Sequence, residues 1–353
     1  MPSELIQLET EAAYLIVEVL QSLAGGQCVE PETLFRLAHH ESLSAWVRVR
    51  GGSTDWMAEF VDLIRSEPTS GPGHLPEDTV NTLRSLKEDS GRLSLLGPCL
   101  ERLEASPPLE EAEAKVLRML PNGTPVDALV HVFPDGSGSY WADNEVILDL
   151  TQLPPFDPWS VGLWALSHEL HHIGYDFVRK NRSRDGDLHS YPRQCARLLD
   201  AVISEGIANA YYTPCDLSTL SSTSTTWLAE VGPGPKALQN YLVAVADSKR
   251  EMPALFQEFD HHLALLLNGQ SSPETERYVA NIKWSRPGLV RPLAHFLGEA
   301  MVTAIRSEMG DAEVVGCILD PLAFPVTYQR AAIRKGMPLL SDSTMEYFSM
   351  SWD

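Results

Sequence analysis

The run His168-Glu169-Leu170-His171-His172 sets two histidines four residues apart, with a glutamate beside the first. On a helix, positions i and i+4 lie one above the other on the same face. Two imidazoles placed that way can grip one zinc ion, and Glu169 beside them can act on a water that the metal polarises. His171 points about 100° away from its neighbours around the helix, so it reads as a packed or capping residue.

A hydrolytic zinc site takes three protein ligands and keeps one position open. The best third ligand is Glu205, in Ala201-Val-Ile-Ser-Glu-Gly-Ile-Ala-Asn-Ala-Tyr-Tyr212. It follows His172 by 33 residues (205 − 172), a distance that allows a helix–loop–helix return. Ile203, Ile207 and Ala208 mark a buried helix, where an unpaired carboxylate is costly. Gly206 and Ala208 are small, as needed where two helices approach closely. Asn209 lies one turn beyond Glu205 on the same face, and its amide could accept the free N–H of a ligand histidine. The chemistry implied is metal-assisted hydrolysis: a metal-activated water attacks, while Glu169 takes its proton as general base and returns it to the leaving amine. The developing oxyanion needs one more donor, for which His295, Tyr211 and Tyr212 are the candidates.

These residues require helices to carry them. The apolar stretch Trp159–Ser167 flanks the motif, and Pro158 suits a first helical turn, so the spacing predicts a metal helix from Pro158 to Arg179. A second long helix is expected over Pro192–Tyr212. Upstream, Val126–Phe133 and Tyr140–Leu150 alternate as strands about the turn Asp135-Gly-Ser-Gly-Ser139. A sheet next to a metal helix can offer an edge strand to a substrate backbone. The first 120 residues read as all-helical, over Glu4–Leu23, Pro31–His40, Leu43–Val49, Thr54–Arg65, Glu77–Glu88 and Leu109–Leu120, with a Pro/Gly/Ser-rich loop at Glu67–Pro76. Ser218–Thr226 reads as a loop, and the remainder as helical with a break at Lys283–Gly288. The adjacent pairs His39-His40 and His261-His262 read as surface residues, and Trp141, Trp159, Trp164 and Trp284 as core.

With 353 residues, 44% hydrophobic and 21% charged, the chain can bury a large core. Its net charge of −21 opposes nucleic acid or an anionic membrane as partner, since phosphates are repelled. The five cysteines are scattered and without C-x-x-C pairing, which argues against a disulfide framework and for a reducing compartment. The acidic N-terminus lacks the basic region of a signal peptide, and no apolar run reaches membrane-spanning length. A cytoplasmic location is expected.

His-Glu-x-x-His followed by the Glu205-Gly-x-Ala helix resembles the gluzincin branch of zinc metallopeptidases. His295-Phe-Leu-Gly298 with Ala300-Met301 and Ile305, then Ile318-Leu-Asp-Pro321 and Tyr328, is similar to a group of uncharacterised bacterial zinc-dependent peptidases. The likeness covers roughly residues 125 to 335. It implies His168, His172 and Glu205 as ligands of one Zn2+ per chain, with Glu169 as catalytic base. Two positions depart from the pattern: Asn209 stands where gluzincins usually carry an acid, and His295 where a tyrosine is expected.

The fold expected is α+β and predominantly helical, a gluzincin-like unit with a short, mainly antiparallel sheet next to the metal helix. Three regions are expected: a helical region over 1–120, the sheet and zinc helices over 121–215, and a C-terminal helical lobe over 216–353 completing the cleft. The function expected is zinc-dependent hydrolysis of a peptide or protein substrate. The alternatives are a zinc hydrolase of a non-protein amide and a metal-stabilised binding or structural protein without turnover. Glu169 disfavours the last, because a purely structural zinc needs no base and prefers a closed fourth ligand.

Overall fold

The computed structural model describes residues 5–53, 55–65, 75–136, 138–182, 193–213, 234–283 and 291–350. The Ser218–Thr226 stretch, Trp284 and most of the Glu67–Pro76 and Lys283–Gly288 segments lie outside them. Among the described residues the chain is predominantly helical with one small sheet, the α+β class read from the sequence.

The strands are β1 (Ile6–Glu9), β2 (Ala128–Phe133), β3 (Tyr140–Ala142) and β4 (Glu145–Asp149). The helices run α1 (Glu11–Ala24), α2 (Pro31–Ala38), α3 (Glu41–Val49), α4 (Asp55–Arg65), α5 (Glu77–Glu88), α6 (Ser90–Ala105), α7 (Leu109–Leu117), α8 (Trp159–Asn181), α9 (Arg193–Tyr211), α10 (Gly234–Leu267), α11 (Pro273–Asn281), α12 (Leu293–Met309), α13 (Asp311–Leu319), α14 (Ala323–Lys335) and α15 (Asp342–Met350). The contacts divide the chain into two compact units. One holds residues 1–114, 126–173 and 221–234, and the other residues 115–125, 174–220 and 235–353.

In the first unit the strand order is β1-β2-β4-β3. β1 pairs parallel to β2, β2 pairs parallel to β4, and only β3 with β4 is antiparallel. The sheet is therefore mixed, not mainly antiparallel. The turn after β2 reverses the chain but passes over one strand position, leaving the slot into which β4 returns. Asp143, at φ 52°, makes the tight reversal between β3 and β4, a backbone region that Asp tolerates better than most residues. Burial and the nearby Asp135 carboxylate push the Asp149 carboxyl up to about 7. Asp149 accepts hydrogen bonds from the Gly136 and Gly138 amides and from Thr151, tying the β2–β3 turn to the end of β4.

The helix expected over Glu4–Leu23 gives way to β1 followed by α1. Ile6-Gln-Leu-Glu9 fits either period over four residues, and pairing with β2 decides it. α6 has no counterpart in the sequence reading, because Gly97 and Pro98 lie inside it. Asp89 supplies its start by accepting from the Arg92 amide. The core of this unit is aromatic: Trp46 stacks on Phe133, with Phe60 against both. The Trp46 indole N–H donates to the buried Asp135. Trp141, Trp159 and Trp164 are half-buried rather than core. Tryptophan is large and so is rarely buried completely.

In the second unit α9 and α12 cross at a glycine pair. A Cβ on Gly298 would lie 2.3 Å from the Val202 carbonyl oxygen and 2.6 Å from the Gly206 Cα. Those are backbone atoms that no rotamer change can clear. Gly298→Ala should therefore lower the unfolding free energy by about 1–3 kcal/mol, read as an earlier urea midpoint. An unchanged midpoint would mean that the two helices slide apart freely. His262 is buried in this unit, stacked on Tyr278 and bonded to Thr275, so the surface reading fails there: α11 covers it. Cys28, Cys99, Cys195 and Cys317 carry free thiols. No helix among the described residues is long and apolar enough to cross a membrane.

Candidate metal centre

α8 is fixed locally before it is packed. The Gly162 amide donates to the Pro158 carbonyl and the Ser160 hydroxyl to the Asp157 carbonyl, closing the first turn. Leu166, Leu170 and Ile173 bury one side of the helix. His168, Glu169 and His172 follow on the same buried stretch and are 7%, 8% and 1% exposed. Their ligand atoms all lie within 4.8 Å of one another. The two rings meet edge to face, with centroids 4.8 Å apart. His171 is fully buried, the packed residue anticipated.

Two imidazoles and a carboxylate, buried and converging, suit a borderline-soft divalent cation such as zinc. Among the described residues one other group has ligand atoms this close: Glu9, Glu11 and His40. There the Arg36 guanidinium already sits 2.8 Å from Glu11, which is largely exposed. Burial opposes ionisation of Glu9, but hydrogen bonds from His131, Ser42 and the Glu11 amide hold its carboxyl down at about 2. That cluster is an ion-paired network.

The edge strand β3 flanks the candidate centre. The Trp141 indole stacks on the His172 ring, with centroids 5.6 Å apart and planes inclined by 20°. Helical periodicity places His172 but says nothing of Trp141. The signal was the alternation of Tyr140-Trp141-Ala142, which puts Trp141 alone on one face.

In the second unit Glu205 is buried on α9, 6% exposed. Its carboxylate oxygens lie 3.2 Å from the Lys283 ammonium and 3.2 Å from His295 Nε2. The structure thus brings Glu205 and His295 together. Asn209 donates from its amide to the Glu205 carbonyl oxygen and accepts from Arg291 at 2.9 Å. The Tyr211 hydroxyl donates to Asp311, its ring lies under Arg306, and burial followed by Asp311 pushes the hydroxyl's pKa up. The Tyr212 hydroxyl donates to the Lys115 carbonyl and is likewise pushed up by burial.

Sequence reasoning missed two features here. Lys283 sits at a helix end with nothing in its neighbourhood to mark it. The clasp of Tyr175, Arg182 and Asp200 joins the last turns of α8 to α9: Tyr175 donates to Asp200 at 2.7 Å, and Arg182 bonds both. A tyrosine three residues after His172, nearly one turn on along the same helix, was the available clue. Burial and the Asp200 charge push the Tyr175 hydroxyl well above its usual range.

A family model described as "Putative zinc dependent peptidase (DUF5700)" matches residues 91–336. No curated protein and no solved structure matches the chain.

Proposed function

The chain belongs to the DUF5700 family, described as Putative zinc dependent peptidase, and from that premise we propose that it hydrolyses peptide bonds at a zinc site built on α8. The observation that carries this reading is the buried convergence of His168, Glu169 and His172 within 4.8 Å beside an edge strand. His168 and His172 hold the metal, and Glu205 is the third ligand. Zinc held there supplies a Lewis acid to water and to the scissile carbonyl. Glu169 accepts a proton from the attacking water at its carboxylate and delivers it to the leaving amine. His295 acts through Glu205, keeping that carboxylate aimed, with the Lys283 ammonium on its other oxygen. Asn209 braces the Glu205 turn of α9. β3, the outer strand of the sheet among the described residues, receives an extended peptide by strand addition, which favours a peptide over a small amide. The free thiols support a reducing, cytoplasmic setting.

The experiment is digestion of a peptide library by zinc-loaded protein, read by mass spectrometry, with Glu205→Ala alongside. The wild type should cleave peptides, stop when a chelator removes zinc and resume when zinc is restored. Glu205→Ala should bind zinc more weakly by about 10–100-fold or more and cleave correspondingly less. A zinc-loaded wild type that leaves every peptide intact would turn the reading toward a metal-stabilised binding protein. Undiminished zinc affinity in Glu205→Ala would remove Glu205 from the ligand set.

A further inference from the structure

We propose that Trp141 is a positioning residue for the metal centre: its indole, carried on β3, sets the plane in which the His172 imidazole presents its nitrogen. The inference rests on the zinc reading above.

Side chains alternate across a strand. Tyr140 and Ala142 therefore leave β3 on one face and Trp141 on the other. The Tyr140 ring takes the Arg50 guanidinium at 4.7 Å. Trp141, paired with Val146 of β4, meets His172 in a near-parallel stack at 5.6 Å. The ring beneath is 1% exposed, while the indole above it is half-buried. The indole thus forms the outer wall of the site on the β3 side. The edge-to-face contact with His168 closes a second side of the same ring.

A metal ligand must point its lone pair along the ring plane. An imidazole free to tilt spends part of its time with that lone pair off the metal. Stacking leaves the in-plane direction untouched and penalises tilt, because tilting drives a ring edge into the indole face. Offset-stacked aromatic pairs contribute enough to change an equilibrium about 2- to 10-fold. The role needs a flat aromatic face, and bulk alone does not supply it. The strand that would receive the peptide also braces the ligand, so strand geometry and ligand geometry are coupled through one side chain.

The test measures zinc affinity by chelator competition in Trp141→Phe, Trp141→Leu and Trp141→Thr, with folding checked by far-UV circular dichroism. The visible spectrum of the cobalt-substituted protein gives a second readout. Trp141→Phe keeps a flat face and should hold zinc within about twofold of the wild type. Trp141→Leu keeps apolar bulk without a face and should lose about 2- to 10-fold, with a shifted cobalt spectrum. Trp141→Thr suits a strand and lacks a ring, so it makes the same comparison if the leucine variant does not fold. Equal affinity and identical spectra in all variants, with the wild type binding one zinc, would overturn the role of Trp141 and leave the zinc reading intact. A wild type that binds neither metal would overturn the zinc reading itself.

Discussion

Glu169→Gln should keep its zinc and lose about 10²–10⁴-fold in kcat. The substitution preserves shape and removes the proton acceptor. Glu169 is 8% exposed and lies with the donor atoms of His168 and His172 inside a 4.8 Å group. An amide of the same size fits the space and cannot take a proton from water. Zinc content by elemental analysis and single-turnover cleavage of a peptide separate the outcomes. Loss of both zinc and cleavage would make Glu169 a ligand in its own right, and the base would have to be sought elsewhere. Full activity in the variant would remove general-base catalysis by this residue.

The second large effect is on the metal itself. Wild-type protein should carry about one zinc per chain, and His172→Ala less than about a tenth of that, at neutral pH with zinc supplied. His172 is nearly fully buried, with Trp141 on one side and His168 on another. Alanine removes one imidazole donor from the group, and water filling the gap is a weaker ligand than the lost nitrogen. The variant should also lose the activity of the wild type in full. Unchanged zinc would show that the α8 pair is scaffold and that the metal is held elsewhere.

The parts of this site that could be read from the sequence are those fixed by a helix alone. The i, i+4 spacing of His168 and His172 is a local property, and an apolar flank tells that the helix is buried. Glu205 was legible as a buried carboxylate because Ile203 and Ile207 surround it. Its partners were not. Lys283 and His295 reach it from α11's end and from α12, and no local pattern encodes a contact across eighty or ninety positions of chain. The same limit explains the sheet. Tyr140–Asp149 read correctly as strands, yet their neighbours are chosen by pairing partners far away, so the parallel β1-β2-β4 ladder stayed hidden. β1 shows the cost of short elements: four residues fit a helix and a strand equally well. Pro98 and Gly97 masked α6 for the opposite reason, since packing overrode an unfavourable local preference.

The glycine crossing of α9 and α12 also sets an order of events during synthesis. Gly206 and Gly298 are separated by roughly ninety residues, so closing that contact means ordering a long loop first. Until Leu293–Met309 has left the ribosome, α9 has no partner for its small-residue face, and Glu205 has no His295 beside it. A nascent chain therefore carries the His-Glu-x-x-His stretch well before Glu205 can acquire its setting. On the zinc reading, hydrolytic competence arrives only once Leu293–Met309 has emerged, and a chain that stops before α12 is inert toward its neighbours on the polysome.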